Sequence, residues 1–160
     1  MITIDIAVHD KSWMDKKSLK KLVTEIVEVT LKRLSMQHIS SELSLVFTNN
    51  AEICYLNSAW RSQGKATNVL SFPAFPIKIG GKVGPMLGDI ILARETIEQE
   101  ATKQRKPFIH HLSHLIVHGF LHLLGYDHEN DTDAAIMETI EQEIVKILAI
   151  PDPYTVSALD

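Results

Sequence analysis

The eleven residues HGFLHLLGYDH, His118 to His128, permit few local structures. They close the run PFIHHLSHLIVHGFLHLL, in which Pro107 suits a helix start. In a helix, residues four apart share a face with about 6 Å of axial rise between them, so His118 and His122 can aim at one point. Gly125 then ends the helix, because glycine adopts at little cost the left-handed conformation that follows a helix C-terminus. The chain turns back there and can bring His128 to the other two imidazoles. Such a segment is a helix running into a tight loop, with three nitrogen donors at the junction.

The rest of the chain supplies the frame. Ile2, Ile4, Ile6 and Val8 alternate with Thr3, Asp5 and Ala7, the period of a half-buried strand. In KKSLKKLVTEIVEVTLKRL, Leu19, Leu22, Val23, Ile26, Val27 and Leu31 recur at helical spacing, with Asp15 as N-cap. ELSLVFT from Glu42 is a second strand, and NNAEICYLNSAW is a short helix capped by Asn49 or Asn50 and ending near Trp60. NVLSF from Asn68 and GDIILA from Gly88 are two further strands, joined by the proline- and glycine-rich loop PAFPIKIGGKVGPML. Helices follow over RETIEQEATKQRK, the histidine-bearing run and TDAAIMETIEQEIVKILAI, which Pro151 and Pro153 terminate. The expected fold class is α+β: one domain over residues 1–160, a mixed sheet of about four strands packed with about five helices, and a metal site on a helix-loop segment.

Composition narrows the function. A chain of 160 residues can bury about two-thirds of the surface its unfolded form exposes. Hydrophobic residues at 45% and charged residues at 22% exclude extended disorder. A net charge of -4 gives no chain-wide basic field, so an anionic partner must be held locally. The single cysteine, Cys54, can form no internal disulfide and fits a reducing cytoplasm. The N-terminus lacks the basic region of a signal peptide, and no apolar run reaches the roughly 18 residues of a membrane span, so a soluble cytoplasmic protein is expected.

The pattern His-x-x-x-His-x-x-Gly-x-x-His matches the three ligand positions and the glycine of the metzincin signature. With 8 histidines in 160 residues, chance places this pattern in about one chain in a thousand, so a metal site is the stronger reading. Three histidines with a fourth position open form the layout of a catalytic zinc. One Zn2+ held by His118, His122 and His128 is expected, although nickel, copper and iron also accept imidazole. The glutamate that serves as base in HExxH peptidases is replaced by Gly119, which removes support for peptide hydrolysis. Phosphodiester cleavage, governed by positioning and charge stabilisation, suits such a site better. Metal hydroxide or the ribose 2′-hydroxyl can serve as nucleophile in that reaction.

Other polar residues carry alternatives. Asp127 and Glu129 either orient a ligand or act as base, or they are loop carboxylates capping the next helix. His114 lies one turn before His118, too far from His122 for a tight tetrahedron; it supports the site, faces substrate or packs. His110 and His111 read as solvated, and His9 and His38 stand outside the constellation. Arg61 and Lys65 in WRSQGKATNVLSFP are cations on a loop that can face a cleft, and arginine's planar fork matches two phosphate oxygens.

Together, HLIVHGFLHLLGYDHE, LNSAWRSQGKATNVLSFP and GDIILA resemble the YbeY family, bacterial rRNA maturation factors described as zinc-dependent endoribonucleases. The resemblance runs from Leu56 to Glu129. It implies a metal on His118, His122 and His128, a functional arginine at Arg61, and cleavage of single-stranded RNA at the 3′ end of small-subunit rRNA. It also implies ribosome quality control, with small-subunit ribosomal proteins and an assembly GTPase as partners. Asn68 stands where many members carry aspartate. On this reading Arg61, Lys65, Lys78, Lys82 and Arg94 gather around the site to hold RNA. The rivals are a non-catalytic ribosome assembly factor with a structural metal and a metallopeptidase with a relocated base.

Overall fold

A computed structural model describes residues 1–61 and 67–148, the side chains of Trp60 and Arg61 excepted. Four strands, β1 (Ile2–Val8), β2 (Ser41–Thr48), β3 (Val69–Pro73) and β4 (Gly88–Ala93), form one sheet in the order β1-β2-β4-β3. β1, β2 and β4 run parallel, and β3 pairs antiparallel with β4. The helices are α1 (Lys16–Arg33), α2 (Asn50–Arg61), α3 (Arg94–Lys103), α4 (Phe108–Leu123) and α5 (Asp131–Ile147). The fold is α+β with a mixed sheet, as the periodicities imply.

Parallel neighbours need a crossover, and α1 supplies it between β1 and β2. Its start is set by Asp15, whose carboxylate accepts from the Ser18 amide at 3.0 Å. Asn49 begins α2 in the same way, accepting from the Glu52 amide at 2.9 Å.

The sheet is covered on both faces rather than one. Leu19, Val23 and Ile26 of α1 and Leu112, Ile116 and Phe120 of α4 bury Leu43, Leu45, Ile90 and Leu92. The alternate residues Leu70, Ile91 and Ala93 face Ile53 of α2 in a second cluster. Burial on both faces explains why β4 reads as the continuous apolar run IILA instead of an alternation. α5 forms an outer layer on α4 and α1. Among the described residues no helix is long and apolar enough to cross a membrane.

α4 lies close to the sheet because position 119 has no side chain. A Cβ built on Gly119 would sit 3.1 Å from Ser71 Oγ and 3.2 Å from Ile90 Cγ2. The Ser71 hydroxyl donates to the Gly119 carbonyl at 3.4 Å. This close approach sets the face of α4 that carries His114, His118 and His122 beside the edge strand β3, with open space next to it.

Candidate metal centre

α4 ends in a Schellman turn. The Tyr126 amide donates to the Leu121 carbonyl and the Gly125 amide to that of His122, each at 3.0 Å. Gly125 has φ +103°, in the left-handed region, and a Cβ there would lie 2.8 Å from the Ile77 carbonyl oxygen. The turn is therefore packed beneath the segment 77–79, whose Ile77 lines the cleft.

The turn delivers His128. Ring centroids stand 4.6 Å apart for His118 and His122, 5.0 Å for His122 and His128, and 5.4 Å for His118 and His128. One nitrogen from each lies within 4.8 Å of the others, a group able to hold a metal ion. The Nε2 atoms of His118 and His122 are 3.1 Å apart. Zinc–nitrogen bonds of about 2.0–2.1 Å in a tetrahedron put ligand nitrogens about 3.3 Å apart, so the donor set fits such an ion. Burial, then the neighbouring His118 and His128, push the His122 pKa down to about 4, leaving its imidazole neutral as a ligand must be.

These histidines border a cleft of about 830 Å³, lined also by Asn68 to Ser71 of the β3 edge, Pro73, Pro76, Ile77 and residues 125–129. His128 is exposed and His118 and His122 are half-buried, so the nitrogen cluster opens toward the cleft. His114 lines the same cleft outside the triad, its Nε2 3.1 Å from Glu141 Oε2.

Several sequence expectations need correction. Asp127 and Glu129 border the cleft, but neither caps α5; that place belongs to Asn130, which accepts from the Asp133 amide at 2.9 Å. Asp127 accepts from the His128 amide at 2.7 Å and so stiffens the loop that carries the third histidine. His111 is not solvated. It is 4% exposed and bonds Glu100 at 2.8 Å, because α3 packs over the first turns of α4. Arg94 is not near the metal centre: its guanidinium lies 4.0 Å over the Phe108 ring, at the opposite end of α4, and pairs with Glu98. Lys78 does belong to the segment packed on Gly125, and Lys82 is exposed on the same β3–β4 loop. Arg61 closes α2, but its side chain, like all of Lys65, lies outside the described residues.

Two sets of contacts between distant segments, those of Glu141 and that of Asn68 with Glu100, escaped the sequence reading. Glu141 of α5, 0% exposed, reaches His118 Nδ1 at 2.5 Å and His114 at 3.1 Å. Burial pushes its pKa up, but the hydrogen bonds from His114 and His118 outweigh that and hold it at about 2. A charged residue within the apolar stripe Met137, Ile140 and Ile144 was the signal that could have revealed it. Asn68, at the cleft edge, accepts from the Val69 amide at 2.7 Å and donates to Glu100 at 3.0 Å. Glu100 thus joins Asn68 to His111.

Known proteins share this frame. The family model described as Endoribonuclease YbeY matches residues 5–149. A protein of Bartonella bacilliformis named Endoribonuclease YbeY is 52% identical over 155 residues, covering 97% of this chain and 98% of its own. Its Agrobacterium fabrum namesake is 47% identical over 159 residues, covering 96% and 95%. A solution structure from Thermotoga maritima superposes with a TM-score of 0.59 at 23% identity, covering 95% of both chains, which supports the fold. Carrying the three-histidine helix and loop within a sequence matched over nearly its full length, the chain belongs to the Endoribonuclease YbeY family.

Proposed function

We propose that the chain is a cytoplasmic, single-strand-specific endoribonuclease of rRNA maturation, with residues 1–160 as one catalytic domain and one Zn2+ on His118, His122 and His128. Its family places it among hydrolases that cut RNA. The substrate we assign is the 3′ end of small-subunit rRNA, with a further role in ribosome quality control. Small-subunit ribosomal proteins and an assembly GTPase are the partners the family suggests.

The observation that carries this reading is the convergence of three imidazole nitrogens within 4.8 Å beside an 830 Å³ cleft. Structural zinc sites normally close with four protein ligands, whereas three donors facing a cleft leave room for substrate. That favours catalysis over a purely structural metal. When bound, the ion supplies Lewis acidity toward a phosphodiester oxygen or an attacking water.

The chain's own groups do the rest. His122 is neutral at physiological pH and offers its lone pair without first losing a proton. The β3 edge and the segment around Ile77 give the RNA strand two walls. Gly119 is packed against Ser71 and Ile90, so the peptidase base has no room at that position. Asp127 and Glu129 are the carboxylates at the cleft we assign to accepting a proton or orienting water. Arg61 is assigned to gripping a phosphate oxygen by its bidentate fork, and His114 to the cleft wall that substrate meets.

Purified protein is assayed on an rRNA precursor and on casein, beside His122→Ala and Arg61→Ala. RNA cleavage should be lost in both variants, with metal retained in Arg61→Ala and casein intact throughout. Undiminished RNA cleavage in both variants would overturn the assignment.

A further inference from the structure

Glu141 is an unusual residue for its position. It occupies the core-facing stripe of α5 with Met137, Ile140 and Ile144, at 0% exposure. Burying a carboxylate is costly, and apolar residues of similar size often serve a fold as well or better. Packing alone gives no reason for a charge there.

Its contacts give one. Oε1 meets His118 Nδ1 at 2.5 Å, and Oε2 meets His114 Nε2 at 3.1 Å. An ionised carboxylate can only accept, so the His118 proton resides on Nδ1. Nε2 is then the nitrogen left to offer a lone pair to a metal, and it is this atom that stands 3.1 Å from His122 Nε2. A ligating histidine commonly donates its second nitrogen to a carboxylate, which fixes its tautomer and strengthens it as a donor. Because both oxygens are held by histidines one turn apart on α4, the carboxylate group is pinned in orientation.

We propose that Glu141 is a positioning residue of the metal centre: it fixes His118 as the Nδ1-protonated tautomer and aims Nε2 at the point shared with His122 and His128, with His114 as its anchor. This rests on the metal-binding reading above.

The test measures metal affinity without RNA. Full-length protein is titrated with Zn2+ against a chromogenic chelator, in parallel with Glu141→Gln, His114→Gln and His122→Ala. Glu141→Gln should bind 10- to 100-fold more weakly, the usual loss when such a partner is removed. His114→Gln can still donate an amide N–H to Oε2 and should stay within about threefold of wild type. An unchanged affinity in Glu141→Gln overturns the proposal, as does an equal loss in His114→Gln, which would indicate repacking of α4 on α5. If His122→Ala binds Zn2+ as tightly as wild type, the metal site itself is misassigned, a separate failure. Should Glu141→Gln not fold, 15N NMR of metal-free wild type, recorded at a pH where the ring is neutral, decides: His118 protonated on Nδ1 supports the proposal, and on Nε2 overturns it.

Discussion

Replacing Gly119 asks whether a side chain is excluded there by the closeness of α4 to the sheet. In Gly119→Ala two effects oppose each other. Alanine gains about 1 kcal/mol over glycine in a helix interior. The new methyl, however, lies 3.1 Å from Ser71 Oγ and 3.2 Å and 3.4 Å from two carbons of the fully buried Ile90, which must move by a few tenths of an ångström. Overpacking of that kind costs about 1–3 kcal/mol. The expected net is a loss of about 1 kcal/mol, or about 2–4 °C in melting temperature for a chain of this size. Gly119→Glu, which rebuilds the peptidase motif, drives an unpaired carboxylate into the same gap and should lose more than about 4 kcal/mol. Urea unfolding of the metal-free proteins, followed by circular dichroism, measures both. The reasoning is refuted if the alanine variant gains the full helix-propensity increment, or if the glutamate variant is as stable as wild type.

Gly125→Ala combines a left-handed φ with contacts of 2.8–2.9 Å to backbone atoms of Ile77, Lys78 and Ile79. It should cost at least about 1–2 kcal/mol and weaken zinc binding by displacing His128, both readable by urea unfolding and chelator competition. In metal-free protein, burial lowers the His111 pKa from 6.5. For Glu100, burial raises the pKa, but hydrogen bonds from His111 and Asn68 bring it below 4.5 overall. Both groups bind fewer protons folded than unfolded, so stability should fall on acidification, first below about pH 6.5 for His111 and then below about pH 4.5 for Glu100. Unfolding series at stepped pH test this, and His111→Gln should show a shallower decline near pH 6. Asn68→Asp puts a second carboxylate against Glu100, which now accepts from the Asn68 amide at 3.0 Å. It should cost about 1 kcal/mol at pH 7, and the loss should shrink as the pair takes up a proton toward pH 5.

What the sequence disclosed was what short segments encode by themselves. The alternation through Ile6, the stripe of α1 and the caps at Asp15 and Asn49 are local patterns, and the structure keeps them. The histidine cluster was legible because its three members fall within eleven residues, on a helix and the turn that ends it. Relations between distant segments were not legible. The order β1-β2-β4-β3 depends on which edges meet, and helices on both faces turned β4 into an unbroken apolar run. His111 was misread because its solvent is removed by α3, an element its own neighbours do not announce. Glu141 stayed hidden because it meets His118 only once α5 has docked, 23 residues further along the chain.

The confinement of His118, His122 and His128 to one short segment also bears on folding order. Closing loops of four and six residues carries little entropy cost, whereas β1 can pair with β2 only after the whole of α1 has been spanned. All four strands precede α4 in the chain, but the three imidazoles come together as soon as the α4 turn has formed, whichever strands have paired by then. On the role proposed for Glu141, capturing an ion and tightening the grip on it are separate events, because Glu141 meets His118 only once the final helix has docked.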